Sequence, residues 1–149
     1  MKALLSHVGA WAPMAEQKAT AEFLLQKDAI SRYLAPFKAG LQERLWLIYN
    51  GFMALQQKGY NVDAITPQAA IYLTIKLELT GKTDGERMLS AQADVTDYIL
   101  SEAKLAVVPF YAFGGDPGSP WYRLSVGTCK KEDISEMLAK LEAALQRLK

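Results

Sequence analysis

The sequence predicts an α+β fold, with helices packed on one face of a small, mainly antiparallel sheet and a long N-terminal connecting helix leading in. Three observations predict it. Apolar residues recur at helical spacing through the first part of the chain and again at its end. Between these stretches the period drops to two at Ile71–Leu79 and at Tyr122–Gly127. A layer of helices over such a sheet is the arrangement that buries every one of these stripes.

The elements follow in order. Pro13 suits a first helical position, where its missing N–H costs nothing. The helical pattern runs from there to about Leu34, and Pro36 is expected to interrupt it by disfavouring helix in the preceding residue. It resumes with Leu41, Leu45, Ile48, Phe52 and Leu55, whose alternating steps of four and three place them on one face, read as a core stripe. Gly59 supplies a stop. After a loop at Tyr60–Thr66, the residues Ile71, Leu73, Ile75, Leu77 and Leu79 form the buried face of a strand, with Tyr72, Thr74, Lys76 and Glu78 on its wetter face. Thr80–Gly85 reads as a turn and lacks the spacing of a phosphate loop. A helix from about Ala91 to Ala103 is expected to turn Val95, Ile99 and Leu100 inward. Leu105–Val108 is a short apolar strand. In Tyr122–Gly127, Tyr122, Leu124 and Val126 share one face and Arg123 and Ser125 the other. The last helix buries Ile134, Met137, Leu138, Leu141, Leu145 and Leu148, with Glu132 and Asp133 early and Lys140, Arg147 and Lys149 late, as the helix dipole favours.

The bulk properties narrow the function. The 149 residues suffice for one domain with a sizeable core, half of them apolar, and the formal net charge is +1. Without a field of one sign, nucleic acid and acidic membranes are poor partners. No stretch reaches the length of a membrane span; the best, Leu45–Leu55, is short and contains Asn50. The apolar start Met1–Leu5 meets Ser6 and His7 too early for a signal peptide. The one cysteine and one histidine cannot make an internal disulfide or a Cys/His zinc site, and a reducing cytoplasm fits best.

Little catalytic chemistry is visible. His7 has no base or orienting partner at a recognisable spacing and reads as a polar residue near the terminus. Cys129 reads as a bystander thiol at a strand-to-helix junction, although Lys130 and Lys131 could lower its pKa. Arg123 carries a rigid guanidinium fork suited to a carboxylate, but from spacing alone it reads first as a cation on a solvated strand face, paired with Glu78.

The stretch Leu105–Gly127 bears on that choice. It contains Val108-Pro109, then Ala112-Phe113-Gly114, then Arg123-Leu124-Ser125, followed by an amphipathic terminal helix. This order resembles the C-terminal small domain of the class I/II pyridoxal-phosphate-dependent aminotransferases of fold type I. Pro67–Leu73 resembles the proline-led strand that opens that domain, and Gly9–Pro13 with Glu16-Gln17 resembles the segment leading into the connecting helix. Two departures stand out: Pro109-Phe110-Tyr111 replaces a common Pro-Gly-Ser, and Lys104 replaces a small residue.

The resemblance covers nearly the whole chain and implies one small domain, 1–149, with connecting helices at 1–58 and the sheet region at 59–149. It implies that Arg123 grips the α-carboxylate of an amino acid or 2-oxo acid substrate. It also implies that the cofactor-binding large domain lies outside this sequence. No lysine here sits in the family's cofactor-lysine context, so pyridoxal phosphate is expected in the full-length enzyme and not on this chain alone, which is expected to be inactive as a transaminase. The rival reading is a non-catalytic binding module that kept the fold. Trp11, Phe23, Leu24 and Leu25 would leave an apolar surface on the connecting helix, predicting self-association or a homo-oligomer.

Overall fold

The computed structural model describes residues 1–9 and 12–149. The chain divides into two compact units, Met1–Ala39 and Gly40–Lys149. The first contains α1 (Lys2–Val8), α2 (Met14–Leu25) and the opening of α3 (Lys27–Gln57). Pro13 stands one place earlier than expected, as the residue before α2. The break falls at Gln26, not at Pro36, and α3 runs through the proline. Proline removes one backbone donor and leaves the turns on either side able to hydrogen-bond, so a long helix can absorb it. α2 has no buried residue, so local backbone preference decides where it ends. Tyr33 and Phe37, one turn apart on α3, stack with ring centroids 6.3 Å apart.

The second unit holds the sheet. Its strands are β1 (Val62–Ala64), β2 (Tyr72–Leu77), β3 (Val108–Pro109) and β4 (Trp121–Ser125), in the order β1-β2-β4-β3, with every pair antiparallel. β1 lies inside the segment expected to be a loop. Three residues are too few to show a period, and pairing of Val62 with Leu77 and of Ala64 with Ile75 makes it a strand. The expected strand at Leu105–Val108 is paired only at Val108 and Pro109, although Leu105 and Val107 are buried.

The period-two expectation is met. Leu73, Ile75 and Leu77 of β2 and Tyr122 and Leu124 of β4 fill the buried face, and Leu73 faces Leu124 as Ile75 faces Tyr122. The core over this face is closed by Leu41, Leu45, Ile48, Phe52 and Leu55 of α3, by α4 (Gln92–Ala103), and by α5 (Ile134–Gln146). α4 turns Val95, Tyr98, Ile99 and Ala103 inward. Leu100 is half exposed, contrary to expectation, because it lies about 100° around the helix from Ile99. The buried Tyr98 hydroxyl donates to the Ala144 carbonyl at 2.8 Å, tying α4 to α5. In α5, Ile134, Leu141 and Leu145 are buried, with Met137, Leu138 and Leu148 packed at the margin. α3 closes against Gly59 at φ +94°, where the Tyr60 N–H returns to the Leu55 carbonyl. Gly51 lets α5 approach α3: a Cβ there would lie 2.2 Å from a Leu138 methyl. Among the described residues no helix is long and apolar enough to cross a membrane.

Candidate functional site

The other face of the sheet carries polar and aromatic side chains. Tyr72, Thr74 and Lys76 of β2 alternate with the buried set, as do Trp121, Arg123 and Ser125 of β4. The antiparallel register pairs Thr74 with Arg123 and Tyr72 with Ser125, while Val108 of β3 pairs with Arg123 from the other side. Arg123 therefore sits mid-strand and mid-sheet, on the face opposite the core.

Its guanidinium carbon lies 4.4 Å from the centroid of the Tyr72 ring and 4.2 Å from that of Phe113. Both distances are well inside the range for an attractive cation–π contact. Phe113 is delivered by a short 3-10 turn, Phe110–Phe113, directly after β3. Gly114 closes that turn at φ +84°, a conformation that costs glycine little. Its N–H donates to the Tyr111 carbonyl at 3.0 Å, and that of Gly115 to the Phe110 carbonyl at 3.1 Å. A Cβ at Gly115 would meet that carbonyl oxygen at 3.0 Å. The paired glycines thus fix where the Phe113 ring stands.

The pairing of Arg123 with Glu78 does not occur: Glu78 takes the ammonium of Lys76 at 2.6 Å. The register opposes Arg123 to Thr74, four residues short of Glu78, so Glu78 lies beyond its reach and takes Lys76, two residues away on the same strand face. Among the described residues no carboxylate pairs with Arg123 and no acceptor receives its donors. By contrast Lys58, Lys131, Lys140 and Arg147 each hold a glutamate.

Beneath this face, Gln92 anchors β4. It is the buried polar side chain of the core. Its Nε2 donates to Thr80 Oγ1 and to the Gly118 carbonyl, both at 3.2 Å, and its Oε1 accepts from the Tyr122 hydroxyl. One amide thereby fastens the turn after β2, the loop before β4, and β4 itself. Burial pushes the Tyr122 hydroxyl well above the ordinary phenol range, keeping it a donor.

The remaining candidates fall elsewhere. His7 is exposed on α1, its Nδ1 2.8 Å from the Ala3 carbonyl oxygen. Cys129 does lie between β4 and the terminal helix, but Lys130 and Lys131 do not activate it. Burial pushes the thiol up, the Arg44 guanidinium offsets this only in part, and Lys131 is engaged by Glu43. Trp11 lies outside the described residues. The sequence showed Arg123 and the parity of Tyr72 but not the aromatic contacts or Gln92. The signal available for Phe113 was the glycine pair after it, which marks a turn placing a ring beside a strand.

No family model matches the chain. Several curated proteins do. Aspartate aminotransferase of Rhizobium meliloti (strain 1021) is 33% identical over 109 residues, covering 72% of this chain and 25% of that protein. The probable aspartate/prephenate aminotransferase of Rickettsia bellii is 31% identical over 94 residues, 62% of this chain and 23% of the relative. The crystal structure of the Rhizobium meliloti aspartate aminotransferase superposes with a TM-score of 0.62 at 32% identity, over 73% of this chain and 26% of that one. The aromatic aminotransferase of Pyrococcus horikoshii gives 0.63 at 20% identity, over 82% and 29%, a likeness of fold. The chain spans about a quarter of the length of the curated relatives it matches.

Proposed function

The chain belongs to the pyridoxal-phosphate-dependent aminotransferases, and from that premise we propose that it acts as the small domain of such an enzyme, with Arg123 receiving the substrate's α-carboxylate. In this reading residues 1–58 are the connecting helices and 59–149 the sheet region. The observation that carries it is the state of Arg123: a guanidinium held mid-sheet between two rings, with no carboxylate partner among the described residues.

A guanidinium fork binds a carboxylate through two parallel N–H···O bonds, which fixes the direction of the Cα substituents. Holding the substrate this way aligns its reacting bond, an entropic contribution to rate. The relatives are named for aspartate and prephenate, which supports amino acids and 2-oxo acids as the substrate class. Pyridoxal phosphate, when bound, supplies the electron sink for the deprotonated α-carbon. The residues around Arg123 do not fit that cofactor's own anchors. The lysine on this strand face, Lys76, is held by Glu78 and is partly open to water, unlike a desolvated, positioned cofactor lysine. In this reading the cofactor belongs to the full-length protein.

Self-association belongs to the same reading. Phe23, Leu24 and Leu25 are 53%, 61% and 78% exposed on a helix that buries nothing, and adjacent exposed apolar side chains promote association.

The carboxylate contact is tested by titrating the chain, labelled at arginine, with 2-oxoglutarate while following the Arg123 Nε–H signal. The expected result is a saturable shift at Arg123 that Arg123→Ala abolishes. A signal that stays still to roughly 50 mM ligand, the weak end of carboxylate affinity, would remove Arg123 from the site.

A further inference from the structure

We propose that Tyr72 and Phe113 are positioning residues: an aromatic clamp that fixes the plane of the Arg123 guanidinium so that its N–H edge is presented to a carboxylate. The clamp rests on reading Arg123 as the carboxylate contact, and it goes beyond that reading in naming what holds the arginine.

The two rings come from opposite sides of β4. Tyr72 stands on β2, the neighbour on one side, and Phe113 on the turn that leaves β3, the neighbour on the other. Each centroid is within 4.4 Å of the guanidinium carbon. A guanidinium stacked on a ring offers the ring its flat π surface, and its donors lie in the plane and point outward from the edge. Aromatic contact and bidentate carboxylate binding therefore use different parts of one group and can coexist.

The choice of neutral rings has a chemical consequence. An aspartate or glutamate beside Arg123 would order it equally well and would occupy the fork. Tyr72 and Phe113 order the cation and leave the fork open. An unrestrained arginine loses several rotatable bonds on binding, and a clamped one has lost them already, so binding is tighter by that difference. The sequence maintains the clamp through backbone as well as side chain: Gly114 at φ +84° and Gly115, against the Phe110 carbonyl, set the turn that carries the Phe113 ring.

Both rings are substantially exposed, 40% for Tyr72 and 55% for Phe113, so replacing them should leave the core intact. The test uses Tyr72→Leu, Phe113→Leu, the conservative Tyr72→Phe, Gly115→Ala, which moves the turn without deleting a ring, and Arg123→Ala. Two quantities are read: the 2-oxoglutarate dissociation constant, and the rate of rotation about Nε–Cζ of Arg123 in the free chain. Each leucine variant should bind about three- to tenfold more weakly and rotate faster, Gly115→Ala should shift the same way, and Tyr72→Phe should behave as the unaltered chain. If Arg123→Ala abolishes binding while both leucine variants bind normally, the clamp is wrong and the carboxylate reading survives. If Arg123→Ala binds normally, or the unaltered chain does not bind, the carboxylate reading is wrong. The clamp then stands on rotation alone, and a rate unchanged by Phe113→Leu and Tyr72→Leu overturns it.

Discussion

Removing the Tyr122 hydroxyl tests the polar anchor beneath the face that carries Arg123. In the native chain the hydroxyl donates to Gln92 Oε1, and both residues are buried, Gln92 at 6% exposure and Tyr122 at 0%. Tyr122→Phe keeps the ring and its packing. It deletes one hydrogen bond, worth about 1 kcal/mol net, and leaves the Gln92 oxygen without a donor, a desolvation cost of about 1–3 kcal/mol. A total near 2 kcal/mol is expected, a shift of roughly 1 M in the urea midpoint at a slope ordinary for this size. Gln92→Leu should cost more, because it strands the Tyr122 hydroxyl and also loses the bonds to Thr80 and Gly118. The pair together should cost no more than Gln92→Leu alone, because the Tyr122 hydroxyl is then no longer stranded, giving a coupling energy of about 2 kcal/mol. Urea denaturation of the four proteins, followed by circular dichroism, measures this. Additive single effects, or a Tyr122→Phe midpoint equal to the native one, would show that water already satisfies these groups and would refute the anchor.

The same hydroxyl predicts an alkaline limb. Its folded-state pKa is raised by burial above the unfolded value of about 10, as is that of Tyr98. The stabilising contribution is thus complete below about pH 10 and is lost as pH rises toward the folded value, at up to about 1.4 kcal/mol per pH unit per tyrosine; Tyr122→Phe should make stability measured from pH 9 to 11 fall less steeply. Gly51→Ala should destabilise by about 1 kcal/mol, since overpacking Leu138 outweighs the gain in helix propensity, and in a Leu138→Ala background it should stabilise instead. Lys104 ends α4 at φ +56°, so Lys104→Gly should raise stability by about 0.5 kcal/mol in thermal unfolding, and a loss would show that the lysine's 2.6 Å bond to the Ser101 carbonyl matters more. Sedimentation at micromolar concentration should show association that Phe23→Ser with Leu25→Ser removes, whereas a monomer in both would contradict the apolar-surface argument.

The periodic elements were legible because their apolar spacing is long enough to be unambiguous: the stripe of α3 and the alternation of β2 and β4 are found as read. β1 was not, since three residues show no period and only the Val62–Leu77 register makes them a strand. The helix break moved from Pro36 to Gln26 because a proline lowers helix stability without forbidding it, and no motif marks Gln26. At the site, the fork-bearing residue could be named from its motif and its strand parity. Its surroundings could not, because they depend on which strands flank β4. The order β1-β2-β4-β3 brings residues 72 and 113 to either side of residue 123, and no local pattern encodes that order.

The central claim, the proposal that Arg123 receives a substrate's α-carboxylate, is tested most directly by steady-state kinetics of a full-length aminotransferase containing this chain. Arg123→Ala should lower kcat/KM by ~2–5 kcal/mol in free-energy terms, the range for losing one partner of a desolvated charge pair. Arg123→Lys should recover little of it, because a point charge cannot reproduce the planar fork. An Arg123→Ala enzyme whose kcat/KM stays within about twofold of the native value, less than 0.5 kcal/mol, would contradict the account.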